Sequence, residues 1–73
     1  MNADGISEFL GVARAGTFTG AARVLDVSVP HVSRQVQRLE ARLGVTLFQR
    51  TTRSVRLTEA GERLQMSCEK LAH

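Results

Sequence analysis

The sequence predicts a mainly α-helical domain with three short helices, a two-stranded β-hairpin and a further helix. Apolar residues recur every three or four positions through the first 43 residues and again from position 60. Residues 45–57 instead contain two short β-prone runs. Residues that cap or end helices stand where the pattern changes, and 73 residues leave room for one thin hydrophobic core.

The first two predicted helices are short, and each has one apolar face. Asp4 is a candidate N-cap for the first helix, and Gly16 is a candidate stop. The apolar positions of this helix are spaced i, i+3, i+4, i+7: Ile6, Phe9, Leu10 and Ala13. Thr17 or Thr19 can cap the second helix. Its apolar face consists of Phe18, Ala21, Ala22 and Leu25.

The third predicted helix spans about residues 29–43 and has two chemically different faces. Ser28 is a candidate N-cap, Pro30 falls in the first turn, and Gly44 supplies a stop. The apolar face consists of Val32, Val36, Leu39 and Leu43. The remaining positions are mostly hydrogen-bonding or basic: His31, Ser33, Arg34, Gln35, Gln37 and Arg38. We therefore expect one face in the core and the other at a polar surface.

The hairpin and a last helix complete the predicted fold. Residues 45–48 and 55–57 are the β-prone runs, and the polar residues 51–54 between them suit the tip. Thr58 is a candidate N-cap for a final helix with an acidic first turn. The apolar positions of that helix are Ala60, Leu64, Cys68 and Leu71. No stop signal precedes His73, which is compatible with a piece of a longer parent or with a short native protein.

Composition argues against several classes of protein. One small core leaves little room for an enclosed substrate cavity, and the sequence has no phosphate-loop, zinc or nucleophile motif, so we expect no enzyme, metal or cofactor. No apolar run approaches the roughly 18–20 residues of a membrane span. The N-terminus lacks a signal-peptide pattern, and the single Cys68 cannot form an internal disulfide. We therefore expect a cytoplasmic protein that has no membrane partner.

The positive charge is concentrated in the middle of the chain. Nine of the ten basic residues are arginine, and the whole chain has a formal charge of +3. Six arginines and one glutamate between residues 29 and 56 give +5, whereas residues 1–28 and 57–73 each sum to −1. A basic centre of this kind is typical of a surface that binds a polyanion.

The order of elements predicts a helix-turn-helix followed by a β-wing. The third helix is the candidate reading helix, because an α-helix fits the DNA major groove and its N-terminal residues meet base edges. His31, Ser33 and Arg34 would project from that end, whereas Arg38 lies one turn further and is better placed for phosphate. The hairpin cations are Arg50, Arg53 and Arg56.

Three runs of the sequence resemble the N-terminus of LysR-type transcriptional regulators. The first is Phe9-Leu10-x-Val12-Ala13-x-x-Gly16-Thr17-Phe18-Thr19-x-Ala21-Ala22-x-x-Leu25-x-Val27-Ser28. The second is Val32-Ser33-Arg34-Gln35-Val36-x-x-Leu39-Glu40-x-x-Leu43-Gly44-x-x-Leu47-Phe48-x-Arg50. The third is Leu57-Thr58-x-Ala60-Gly61. Together they cover about residues 6–65 and are far more specific than a helix-turn-helix pattern alone.

The resemblance implies a winged helix-turn-helix over residues 1–58 and the start of a linker helix over residues 59–73. In that family the linker helix pairs two subunits, and a C-terminal domain absent from this chain binds a small effector. The resemblance therefore implies a bacterial, nucleoid-associated regulator that binds double-stranded DNA as a homodimer on an interrupted palindrome. The candidate dimerisation residues are Ala60, Leu64, Cys68 and Leu71.

The helix-turn-helix and wing pattern and the LysR resemblance together identify nine candidate DNA-contact residues. They are Ser28, Val29, Pro30, His31, Ser33, Arg34, Arg38, Arg50 and Arg53. The resemblance implies contact roles for Ser28, Pro30, Ser33, Arg34 and Arg53. Val29 stands where family members often have Gln, and His31 stands where a small residue is common. Val29 can touch a thymine methyl group but cannot read a donor and acceptor pattern, so we expect the preferred bases to differ from those of a typical member.

Simpler interpretations stay open for several of these residues. Arg38 and Arg42 can pair with surface glutamates, Arg50 can brace the wing, and His31 can be a solvated helix residue. Cys68 and the three phenylalanines fit apolar packing better than a catalytic thiol or stacking platforms for single strands. Two other functions also stay open: a protein-interaction winged helix without DNA affinity, and a non-specific nucleic-acid-binding protein.

Overall fold

The computed structural model describes residues 5–51 and 54–71. The elements follow in the order α1 (Ile6–Ala15), α2 (Phe18–Leu25), α3 (Val29–Leu43), β1 (Phe48–Arg50), β2 (Val55–Leu57) and α4 (Glu59–Leu71). The two strands form an antiparallel hairpin with the register Phe48↔Leu57, Gln49↔Arg56 and Arg50↔Val55. A hydrogen bond of 2.9 Å from the Thr51 N–H to the Ser54 carbonyl closes the tip. The mainly helical fold class and the order of its elements are confirmed.

The start of α1 depends on a glycine. Asp4, the predicted cap, lies outside the described residues, and Gly5 is the N-cap in the structure, with φ 92° and no side-chain cap. A Cβ atom at Gly5 would lie 2.6 Å from the backbone carbonyl oxygen of Gln35 in α3. Glycine suits this position because it adopts the left-handed conformation without steric cost and lets α3 approach closely.

Hydroxyl side chains cap the other three helices. Thr17, rather than Thr19, caps α2, Ser28 caps α3, and Thr58 caps α4. In each case the hydroxyl oxygen accepts a hydrogen bond from the backbone N–H three residues later, at 2.9, 3.2 and 3.0 Å respectively. Each cap satisfies one of the N–H groups that the first turn of a helix leaves without a partner.

The link between α2 and α3 is a tight turn. Asp26 has φ 59° and ψ 46°, and it is the one non-glycine residue with positive φ within residues 5–51 and 54–71. Aspartate tolerates this left-handed conformation better than most residues do. The Val27 N–H donates to the Ala22 carbonyl at 3.0 Å, which ends α2 and lets α3 begin at Val29 after the Ser28 cap.

β1 begins at Phe48, and the prediction of a strand from Val45 was wrong at its start. The side chain of Glu40 explains the difference, because its Oε2 accepts hydrogen bonds from the N–H groups of Leu47 at 2.7 Å and Phe48 at 3.4 Å. The Val45 N–H also donates to the Glu40 carbonyl at 3.3 Å. Residues 45–47 are therefore held against the end of α3 instead of pairing in the sheet.

The hydrophobic core lies between the first three helices and the hairpin. It consists of Phe9, Val12, Ala21, Ala22, Val32, Val36, Leu39, Leu47 and Phe48. The rings of Phe9 and Phe48 have centroids 5.4 Å apart, and the half-buried Phe18 lies 6.2 Å from Phe48. Val12 is buried although the predicted stripe of α1 omitted it. Leu43 was predicted to face the core, but it is 49% exposed because it is the last residue of α3.

Candidate nucleic-acid interface

The N-terminal end of α3 is exposed to solvent. Ser28, Val29 and Pro30 are all exposed, and none of them belongs to the core. Pro30 has no N–H, and the His31 N–H is used by the Ser28 cap. The Val29 N–H makes no hydrogen bond with any described residue and is therefore available to an anion such as a phosphate.

A row of arginines runs along the exposed side of α3. Arg34, Arg38 and Arg42 are exposed and follow one another every four residues, about one helical turn apart. Val32 and Val36 lie on the opposite, fully buried side of the helix. Within the described part of the chain, none of the three arginines forms an ion pair, so the pairing of Arg38 or Arg42 with a surface glutamate is not found there. Their charge remains available to an external anion.

His31 contacts α1 as well as solvent. Its Nε2 lies 3.4 Å from Oε2 of Glu8, and the two side chains are 40% and 17% exposed respectively. A contact between Nε2 and a base would therefore break the contact with Glu8. Ser33 is half-buried, whereas Arg34 is exposed. Of the hydrogen-bonding side chains near the start of α3, Arg34 is accordingly the most accessible.

The hairpin carries arginines on both of its faces. The guanidinium carbon of Arg50 lies 4.7 Å from the centroid of the Phe18 ring, so this stacking braces β1 against α2. A stacked guanidinium keeps its N–H groups in one plane, where they can still bind a phosphate. Arg56 is exposed opposite Gln49 on the other face. Arg53, predicted at the tip, lies outside the described residues.

Part of the apolar side of α4 packs against the chain's own domain. Ala60 and Leu64 are half-buried against the core, and Cys68 is also half-buried. The side chain of Leu71 is not among those described. Met66, which was not among the predicted apolar positions of this helix, is 64% exposed. Two of the four candidate dimerisation residues therefore support the fold of the chain itself, and the exposed apolar surface of α4 includes Met66.

The structure also shows a shallow groove of about 390 Å³ between α1 and α2. Leu10, Val24 and Leu25 supply most of its apolar lining, and Ser7 and Arg14 are its hydrogen-bonding side chains. Among the described residues that line the groove there is no histidine or carboxylate. Over residues 5–51 and 54–71 there is no group of three His, Cys, Asp or Glu residues suited to a metal ion. None of the helices described there is long and apolar enough to cross a bilayer.

Comparison with known proteins establishes the family. Residues 5–62 match the sequence profile of the bacterial regulatory helix-turn-helix proteins of the lysR family. This chain belongs to the LysR family. Among its curated LysR relatives, the regulator BudR of Klebsiella aerogenes is 49% identical over 65 residues, which are 88% of this chain and 46% of that protein. The transcriptional activator AaeR of Escherichia coli K12 is 44% identical over 68 residues, which are 93% of this chain and 22% of that protein.

Solved structures of LysR proteins share the fold. The DNA-binding domain of CbnR, in a crystal structure with DNA, has a TM-score of 0.88 and 40% identity, and the match covers 93% of this chain and 78% of that one. The DNA-binding domain of BenM, in a complex with catB site 1 DNA, also has a TM-score of 0.88, with 35% identity over 93% of this chain and 76% of that one. Full-length CbnR, in a crystal structure with its target DNA, matches with a TM-score of 0.87 and 40% identity, over 93% of this chain and 24% of its own. The chain thus corresponds to the winged helix-turn-helix domain of longer LysR regulators and spans less than half of the curated relatives cited above.

Proposed function

We propose that this LysR domain binds a specific double-stranded DNA sequence, with α3 in the major groove and the hairpin on the adjacent backbone or minor groove. The row of Arg34, Arg38 and Arg42 carries the proposal, because these guanidiniums lie on the side of α3 that faces away from the core and form no ion pair with a described residue. The DNA complexes of the CbnR and BenM domains support it. The proposed role is transcriptional regulation in the bacterial cytoplasm, at the nucleoid, with no enzymatic activity.

Base recognition is assigned to the first two turns of α3. The residues proposed to discriminate bases are Val29, His31, Ser33 and Arg34, with Ser28 and Pro30 beside them at the DNA surface. Arg34 can donate two parallel hydrogen bonds to the O6 and N7 acceptors of a guanine. His31 can take part only with the ring nitrogen that does not face Glu8, unless that contact breaks.

Phosphate contacts are assigned to Arg38, Arg50, Arg53 and the Val29 N–H, which has no hydrogen-bond partner among the described residues. Contacts of this kind set the register of a protein on the duplex but carry no sequence information directly. Arg38 lies one turn beyond Arg34 on α3, and Arg50 lies on the hairpin braced by Phe18. The domain would thus be held on the backbone from two elements while Arg34 reaches the bases.

Pairing through the linker helix is a second part of the proposal. We propose that α4, with Cys68, Leu71 and the exposed Met66, contacts the same helix of a second copy, while Ala60 and Leu64 help to fix α4 on its own domain. Two domains paired in this way would read an interrupted palindrome. A small effector would act through a C-terminal domain beyond these 73 residues.

Selection of bound duplexes from a random pool at near-physiological salt tests the proposed function. We expect an enriched motif with two-fold symmetry, which would also give the spacing between half-sites. Tight binding that falls with salt and enriches no sequence would indicate a non-specific nucleic-acid-binding protein instead. Negligible affinity at every salt concentration would indicate a protein-interaction module.

A further inference from the structure

The first turn of α3 presents an apolar side chain where a reading helix meets base edges. Val29 is the first residue of α3 and is 39% exposed, and the next residue is the exposed Pro30. The Ser28 hydroxyl oxygen is used to cap His31, and the Nε2 of His31 faces Glu8. These two groups of Ser28 and His31 are therefore engaged within the domain, whereas the Val29 side chain is not.

An exposed valine in the major groove has one kind of apolar partner. The C5-methyl group of thymine is the only apolar group that the four normal bases present there. Val29 has no donor or acceptor in its side chain, so its contact depends on that methyl group and not on the hydrogen-bonding pattern of the base. 5-Methylcytosine carries its methyl group at the same ring position and would offer the same contact.

On the basis of the proposed function, we propose that Val29 selects a pyrimidine with a C5-methyl group at one position of each half-site. This deepens the proposed function by assigning to Val29 a specificity that does not use hydrogen bonds. Val27 is similarly apolar and 37% exposed, but it precedes the helix, and its N–H is bonded to the Ala22 carbonyl in the link. Val27 is therefore a matched control for Val29.

Deoxyuridine scanning of the selected operator tests the assignment. Each thymine is replaced in turn by deoxyuridine, which removes the methyl group and keeps the base pair and its hydrogen-bonding edge. We expect a loss of about fourfold in affinity at one thymine per half-site, the factor that corresponds to about 0.8 kcal/mol for one buried methyl group. In Val29→Ala the difference between thymine and deoxyuridine at that position should fall to near zero, and in Val27→Ala it should persist.

A methylated cytosine gives an independent readout. A G·C pair placed at the same position should bind more tightly to the parent domain when its cytosine is 5-methylated, and Val29→Ala should lose this gain. If the operator is bound specifically but no thymine shows a Val29-dependent methyl effect, the assignment to Val29 is wrong while the proposed function stands. If the random pool yields no enriched motif, the proposed function itself fails, and the assignment fails with it.

Discussion

Replacing Gly61 by alanine should destabilise the domain, although alanine normally favours a helix. Gly61 lies in the first turn of α4 and is buried against Leu47, the residue before β1. A Cβ atom at this position would overlap the backbone carbonyl oxygen of Leu47 and would lie 2.8 Å from Cδ2 of Leu57. Relief of the overlap requires a backbone shift, because the nearest atom belongs to the main chain rather than to a flexible side chain.

The size of the effect follows from three contributions. Overpacking a well-filled site typically costs about 1–3 kcal/mol. The Leu47 carbonyl also accepts the Thr58 N–H at 2.9 Å, and weakening that hydrogen bond costs up to about 1 kcal/mol. The helix preference of alanine over glycine returns about 1 kcal/mol. We expect a net loss of about 2 kcal/mol in the free energy of unfolding, or about 8–16 °C in Tm for a domain of this size.

Thermal and urea unfolding followed by far-UV circular dichroism measure this change. Gly11→Ala is the matched control, since Gly11 also lies inside a helix but a Cβ there would meet the side-chain atom Leu25 Cδ1 at 3.2 Å. That flexible neighbour can move, so we expect Gly11→Ala to be close to neutral or slightly stabilising. A Gly61→Ala variant as stable as the parent would show that α4 does not approach Leu47 as closely as the structure describes.

The remaining predictions concern DNA binding and assembly. Arg34→Ala should cost about 1–3 kcal/mol of binding free energy and relax one operator position, as measured on single-base variants of the operator. Unchanged discrimination would remove Arg34 from the base contacts. Arg53→Ala should weaken binding to all sequences and reduce the slope of log K against log salt by about 1, and an unchanged slope would exclude a phosphate contact. Light scattering should show a dimer that dissociates on dilution and weakens in Met66→Glu; a monomer at high concentration would count against pairing through α4.

Much of the fold could be predicted because local signals agree with the tertiary arrangement. The capping residues Thr17, Ser28 and Thr58 each precede a set of apolar residues at helical spacing. The cap and the spacing both depend on residues close in sequence, so both can be recognised without the tertiary structure. The start of β1 could not be predicted in the same way. It depends on the carboxylate of Glu40, seven residues before Leu47, and nothing in the local composition of residues 45–48 indicates that contact.

The residue types of the candidate site could be predicted from the sequence, but the contacts that these residues make could not. The charge count places the arginines in the middle of the chain, but it cannot show that Arg50 stacks on Phe18 or that His31 faces Glu8. Both contacts join residues far apart in sequence, so they exist only once the helices have packed. Leu64 is likewise apolar at a helical spacing whether it faces its own core or a second copy, so the spacing alone does not distinguish the two.

The hydrogen bonds of Glu40 have a mechanical consequence for recognition. They tie the C-terminal half of α3 to the start of the hairpin, while Arg50 on Phe18 ties the same hairpin to α2. The two elements proposed to bind DNA, α3 in the groove and the hairpin on the backbone, are thereby held at one separation. On a duplex whose groove width does not match that separation, the DNA has to deform. Because the stiffness of DNA depends on its sequence, such a rigid pair of elements would favour some sequences at positions that no side chain touches.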